Sequence, residues 1–284
     1  MVFVALSYRL GAFGWLAGPT LQADGTQNAG LYDQRLALEW VQQYIHLFGG
    51  DKDRVTLMGE SAGGSSVMLQ ITAFGGLKGP APFAQAIAQS PGYIVLPGSI
   101  QTEDISEKFL RLLNVSTIDE ARTLTSEAII AANAQQVFES NFSTFTYGPV
   151  VDGSFMPAQA GQLLRDGAFD HSVKVMTGHN AAEGLIFGDP KVNTSDSFSA
   201  WLEGVYPNIA AIAADYIENT LYPPVFDGSF GYSDQFERTA AILAEQIFTC
   251  NDYFLNRAFG NQTYACMYSL LVVCSNTDLV LLAR

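Results

Sequence analysis

Val55-Thr56-Leu57-Met58-Gly59-Glu60-Ser61-Ala62-Gly63-Gly64-Ser65-Ser66-Val67-Met68 is the stretch on which the fold turns. An apolar, β-branched run ends in Gly59-Glu60-Ser61-Ala62-Gly63 and passes directly into an uncharged, helix-compatible run. That order reads as strand, sharp turn, helix, with a G-x-S-x-G pentapeptide on the turn. A tight turn holds Ser61 in strained backbone angles and lifts its hydroxyl clear of a sheet edge. Gly59 and Gly63 let neighbouring backbone approach where a Cβ would clash. The Ala62 N–H and the N-terminus of the following helix then face an oxyanion formed beside the serine. A serine so presented is a candidate nucleophile.

The surroundings repeat the strand–helix rhythm. Val2–Ser7 reads as a strand, followed by a Gly-rich loop from Gly11 to Gly30. Leu31–Ile45 reads as a helix with a wide apolar face, Leu36, Trp40 and Tyr44 beside Leu31, Leu38 and Ile45. Val55–Met58 is the strand before the turn and Ala62–Ile71 the helix after it. Ala84–Gln89 is a further strand closing on Ser90-Pro91-Gly92. This alternation predicts a parallel sheet covered on both faces. Glu103–Leu113 carries a helical stripe, and Thr117 with Glu120 forms a capping box. Gly148–Gly153 and the strand Val173–Thr177 return the chain to the sheet. Ser197–Glu218, interrupted at Pro207, and Asp234–Phe259 are longer helical stretches.

Composition narrows the function. A chain of 284 residues with 48% hydrophobic and 12% aromatic residues can bury a substantial core, which excludes a disordered chain. A net charge of −14 repels phosphates and argues against a nucleic-acid partner. No apolar run reaches the roughly 18 residues that span a membrane. Four N-glycosylation sequons begin at Asn114, Asn141, Asn193 and Asn261 and favour an extracellular protein. The three cysteines have no metal-ligand spacing, and Cys250 and Cys266 are either one pair or two buried thiols. Met1-Val2-Phe3-Val4-Ala5-Leu6 reads as a core strand with no signal peptide ahead of it, as in a chain whose front has been cut away.

Several longer motifs resemble the type-B carboxylesterase/lipase family, the cholinesterase-like α/β-hydrolases. They are Ser7-Tyr8-Arg9-Leu10-Gly11-Ala12-Phe13-Gly14, Asn28-Ala29-Gly30-Leu31-Tyr32-Asp33-Gln34-Arg35, Phe48-Gly49-Gly50-Asp51, Gly59-Glu60-Ser61-Ala62-Gly63, Gly148-Pro149-Val150-Val151-Asp152-Gly153 and Gly178-His179-Asn180-Ala181-Ala182-Glu183-Gly184. The resemblance runs from the start of the chain to about Ser269. It implies an α/β-hydrolase fold, a mostly parallel sheet with helices on both faces, incomplete at both ends. Residues 1–284 would form one partial domain, with a cap-like helical excursion over about 185–260 and an atypical tail over 270–284. The implied activity is hydrolysis of uncharged carboxylic esters, small-molecule or lipid, without a metal or other cofactor.

Acyl transfer to water needs an imidazole to take the serine proton and a carboxylate to orient that imidazole. The order in this fold is Ser, acid, His. Ser61 is the nucleophile, and Glu183 matches the family's acid. Ala62 supplies one oxyanion-hole N–H. Glu60 lies beside the nucleophile and Ser90 near the acid, in supporting positions, while Arg9 and Asp33 read as a buried structural ion pair. The three histidines are His46, His171 and His179, and none follows Glu183. His46 reads as a solvent-side helix end, His171 as a turn residue and His179 as a loop residue out of chain order. Thr263–Ser269 resembles the late strand that precedes the family's histidine loop, and the Gly-rich oxyanion loop would lie before Val2. The expectation is an esterase-family chain that is inactive as written. The competing reading is a non-catalytic binding or adhesion module, which in this family usually has no serine at this position.

Overall fold

The computed structural model describes residues 1–94, 98–142, 144–207 and 209–269. Among the described residues the sheet has four strands, β1 (Thr56–Glu60), β2 (Gln85–Gln89), β3 (Lys174–Asn180) and β4 (Tyr264–Tyr268). They lie in the order β1-β2-β3-β4 and every pairing is parallel. Parallel neighbours require crossovers, and helices supply them. Ala62–Ile71 joins β1 to β2. Gly98–Leu112, Ser126–Phe138 and Ala160–Arg165 lie between β2 and β3, and Ser195–Val205, Gln235–Ala244 and Cys250–Ala258 between β3 and β4. The expected α/β architecture is present.

The core forms where these layers meet. Ala86 and Ala88 of β2 and Val175 of β3 are buried against Val67, Met68 and Ile71 of the crossover helix and against Leu31, Phe155 and Leu255. Small residues on β2 let that helix sit close to the sheet. Local signals set many boundaries. The Thr117–Glu120 capping box is formed, Asp234 caps the helix that starts at Gln235, and Pro207 separates two helices.

Five expectations need correction. Val2–Ser7 is not a strand: it pairs with none of β1–β4, and Val2, Phe3 and Val4 are exposed. An apolar run becomes a strand only where a ladder accepts its backbone groups. The loop from Gly11 to Gly30 contains two short helices, Gly11–Trp15 and Pro19–Asp24. Gly148–Gly153 does not join the sheet; the Asn28 side chain meets the Val150 backbone instead, Nδ2 donating to Val150 O (2.8 Å) and Oδ1 accepting from Val150 N (2.9 Å). On helix Ala29–Tyr44 only the Leu31–Leu38 side is buried, and Leu36 is 67% exposed. Trp40 instead packs, with tilted rings, against Tyr44 and Phe48 near the surface. Cys250 and Cys266 are both free; Cys250 is half-buried and Cys266 exposed, so neither a pair nor two buried thiols is formed. The tail 270–284 and Cys274 lie outside the described residues. No helix among the described residues is long and apolar enough to cross a membrane.

Candidate active site

Three consecutive strand ends build the site. β1 ends at Glu60, and Ser61 turns the chain with φ 55° and ψ −119° before the helix begins at Ala62. A non-glycine residue at such angles costs about 1–3 kcal/mol and persists only when its surroundings hold it there. They do. Ser61 N donates to Gln89 O (2.9 Å), and Ser61 O accepts from Ser65 N (2.9 Å) and Gly92 N (3.0 Å). A Cβ on Gly59 would lie 2.4 Å from the Gly63 backbone, and one on Gly64 would lie 2.6 Å from Gln89 O. A Cβ on Gly63 would meet nothing within 4 Å. The second close-approach glycine is therefore Gly64, which brings the helix against the end of β2, and not Gly63. Ala62 is exposed at the first position of its helix, where backbone N–H groups have no partner within the helix.

Ser90 follows β2 in a left-handed conformation, φ 43°. Its N–H donates to Gly178 O (2.6 Å) and its hydroxyl to Glu183 Oε1 (2.6 Å). Glu183 lies just beyond β3 and is 6% exposed. Oε1 also accepts from Asn180 N (2.7 Å) and Asn180 Nδ2 (3.0 Å). A buried carboxylate needs hydrogen-bond donors, and these three supply them. Among the described residues all of them fall on Oε1, which leaves Oε2 for another donor. A Cβ on Gly184 would come within 1.7 Å of Ala240 O, so the acid's turn is pressed directly on helix Gln235–Ala244. Glu60 is exposed; partial burial, then the charge of Glu183, pushes its carboxyl up.

The chain thus brings Ser61, Ala62, Ser90 and Glu183 to one edge of the sheet. No hydrogen bond among the described residues joins a histidine to Ser61. His46 and His171 are exposed. His179 lies within β3 rather than on a loop, because pairing with Met267 of β4 extends the strand beyond Thr177. Its Nδ1 is 2.9 Å from Asn180 O. Arg9 and Asp33 form a two-pronged ion pair, both contacts 2.7 Å, and it is partly exposed rather than buried.

A cavity of about 310 Å³ opens on Ser61 and Ala62. Tyr8, Trp15, Tyr147, Phe187 and Phe248 form much of its wall, with the hydroxyls of Ser65 and Ser66. No charged side chain lines it among the described residues. Burial pushes the phenols of Tyr93 and Tyr147 up, so both are neutral donors. Phe248 and Asn251 carry no motif and were invisible in the sequence beyond the helical pattern of Asp234–Phe259. Among the described residues no cluster of His, Cys, Asp and Glu could hold a metal ion.

A family model described as "Carboxylesterase family" matches residues 1–230. The chain is 41% identical over 274 residues to "Carboxylesterase patB" of Penicillium expansum, covering 95% of this chain and 48% of that protein. It is 31% identical over 272 residues to a "Secreted lipase" of Arthroderma benhamiae, covering 94% of this chain and 51% of that protein. The chain spans about half the length of the curated relatives it matches. Among solved structures it is similar to Aspergillus niger EstA, with TM-score 0.76 and 28% identity over 89% of this chain and 50% of that one. A "PNB esterase" gives TM-score 0.70 and 26% identity over 92% of this chain and 53% of that one.

Proposed function

From the premise that this chain belongs to the carboxylesterase family and has its α/β-hydrolase fold, we propose that it carries the nucleophile half of a serine ester-hydrolase site. Ser61 Oγ attacks the ester carbonyl, and the Ala62 N–H takes part of the charge that develops on the carbonyl oxygen. The reaction needs an imidazole to remove the serine proton and return it to the departing alcohol, and Glu183 Oε2 is the atom that would hold its ring N–H. Water repeats the sequence on the acyl-enzyme. Ser90 and Asn180 hold Glu183 in position, and Glu60 adds a second carboxylate beside the serine. The uncharged cavity favours neutral ester substrates over anionic ones, whether small molecules or lipids.

The observation that carries this reading is the constrained Ser61 turn together with a buried, three-donor Glu183 two strand ends away. A binding module has no need of a serine held at unfavourable angles. No histidine follows Glu183 in the 284 residues, so this polypeptide alone has no base in the fold's usual order and turns over esters slowly. Loss of a triad histidine costs about 10⁶ in turnover, roughly 8 kcal/mol of barrier. Residues of about 185–260 act as the cap of a single domain, since Phe187 and Phe248 wall the cavity. The sequon asparagines 114, 141, 193 and 261 are all exposed and open to a glycan, which suits secretion.

Imidazole rescue tests the proposal. The 284-residue chain is incubated with a fluorophosphonate and read by mass, with and without added imidazole. Labelling of one site is expected with imidazole only, absent in Ser61→Ala and weaker in Glu183→Gln. Labelling that persists in Ser61→Ala would remove the nucleophile assignment. Equal labelling without imidazole would reveal a base within the chain, with His179 the first to substitute.

A further inference from the structure

The wall of the cavity beside Ser61 is set by one contact between two segments far apart in sequence. A Cβ built on Gly92 would lie 3.4 Å from Ser61 Oγ and only 2.8 Å from Cε1 of Phe248. The Phe248 ring therefore rests on the Gly92 backbone, directly next to the hydroxyl. The ring is held firmly. It is buried and packs on Phe187 with centroids 5.4 Å apart. It sits on a π-helical segment, Glu245–Thr249, whose wider turn changes which carbonyls the helix itself uses. Ile247 O accepts from Tyr93 N (3.0 Å) and from Asn251 Nδ2 (2.7 Å), and Asn251 Nδ2 also reaches Pro91 O (3.0 Å). The loop carrying Gly92 and the helix carrying Phe248 are thus tied together on both sides of the ring.

Resting on the ester-hydrolase reading above, we propose that Phe248, seated on Gly92, determines substrate size: it restricts the substituent on that side of the ester carbonyl to a small, unbranched group. An ester carbonyl carbon attached to Ser61 Oγ would carry one substituent toward Gly92, where a Cβ on the glycine would already lie 2.8 Å from the ring, so the ring is the wall that substituent meets. Branching at its first atom drives the substituent into Phe248. Asn251 is a positioning residue, acting through the ring and the loop rather than on substrate.

Uncharged esters serve as ligands, and binding is read at equilibrium with hydrolysis followed in the same samples. The monomeric chain is titrated calorimetrically with phenyl acetate, isobutyrate and pivalate, and with ethyl, isopropyl and tert-butyl benzoate, which vary the acyl and alkoxy sides in turn. In one of the two series the affinity should fall with branching, and Phe248→Ala should improve the branched members relative to the unbranched one by about tenfold. Gly92→Ala should weaken even the smallest member by about tenfold, and Gly92→Ala combined with Phe248→Ala should restore it. That rescue separates a shared wall from simple loss of packing. Should Phe248→Ala fail to fold, Phe248→Leu makes the same comparison with a smaller shift. If the chain binds esters but neither variant changes their order, the size inference falls and the ester-hydrolase reading stands. If no ester binds the unaltered chain, the cavity reading fails and takes this inference with it.

Discussion

Strands β2 and β4 flank β3 with ladders of the same kind, each a run of five parallel pairs, yet their surroundings are opposite. Ala86 and Ala88 of β2 are fully buried, whereas every residue of β4 is exposed, Tyr264 at 77% and Met267 at 62%. The backbone hydrogen bonds are equivalent on the two sides. The difference lies in the cover: helix Ala62–Ile71 packs on β1 and β2, and the described residues place nothing comparable over β4. Hydrogen-bonded pairing aligns strands, but apolar burial by a second layer gives the larger share of stability and supplies a dry setting for buried polar groups. Ser90 and Glu183 meet on the covered side.

The comparison predicts where substitutions matter. The largest effect should come from Gly184→Ala, whose methyl would collide with Ala240 O and push the acid's turn off its helix. A loss of about 3 kcal/mol is expected, read from the urea midpoint at unchanged slope. An unaltered midpoint would mean that the turn and the helix do not depend on each other. Ser90→Ala comes next, since it removes one of the three donors on buried Glu183; about 1.5 kcal/mol should be lost. If denaturation shows no change, Asn180 alone suffices for the carboxylate.

A pH-dependent difference should appear at Asp252, which accepts from Thr177 Oγ1 across the covered face of β3. Burial pushes its carboxyl up, opposed by the Thr177 hydrogen bond and the charge of His179. A raised carboxyl binds more protons folded than unfolded, so its cost to stability appears as pH rises through the shifted value and is absent below about pH 4. The melting temperature of Asp252→Asn minus that of the unaltered chain should therefore increase from pH 4 to pH 7. A difference that shrinks over that range would reverse the sign. The smallest effect belongs to Met267→Lys on β4, expected within about 0.5 kcal/mol of the original. Its soluble yield should rise, because a charge on an exposed apolar strand discourages edge pairing. Destabilisation by more than about 1 kcal/mol would show that β4 is covered in solution.

The strand, turn and helix around Ser61 were legible because their signals are local. The run from Val55 to Met68 dictates strand, turn and helix within fourteen residues, and helix Ala62–Ile71 has the bounds its pattern implied. Glu183 could be named from the motif that holds it, but its donors could not: Ser90 lies ninety-three residues away in sequence. Leu36 and Leu38 look alike as sequence, and only the docking direction of their helix buries one and exposes the other. Val2–Ser7 has the composition of a strand and no partner among the described strands.

By itself the sequence determined the family, the parallel strand–helix order, the turn that presents Ser61 and the place of Glu183 after β3, because each rests on residues adjacent in the chain. Tertiary structure alone decided that Gly64 rather than Gly63 makes the close approach, that Asn28 bonds the backbone of Val150, and that Phe248 closes on Gly92. The physical reason is range. Steric limits on backbone angles and helix capping act over a few residues. Burial, carbonyl partners and van der Waals contact depend on which distant segment arrives, and that is set by the packing of the whole core.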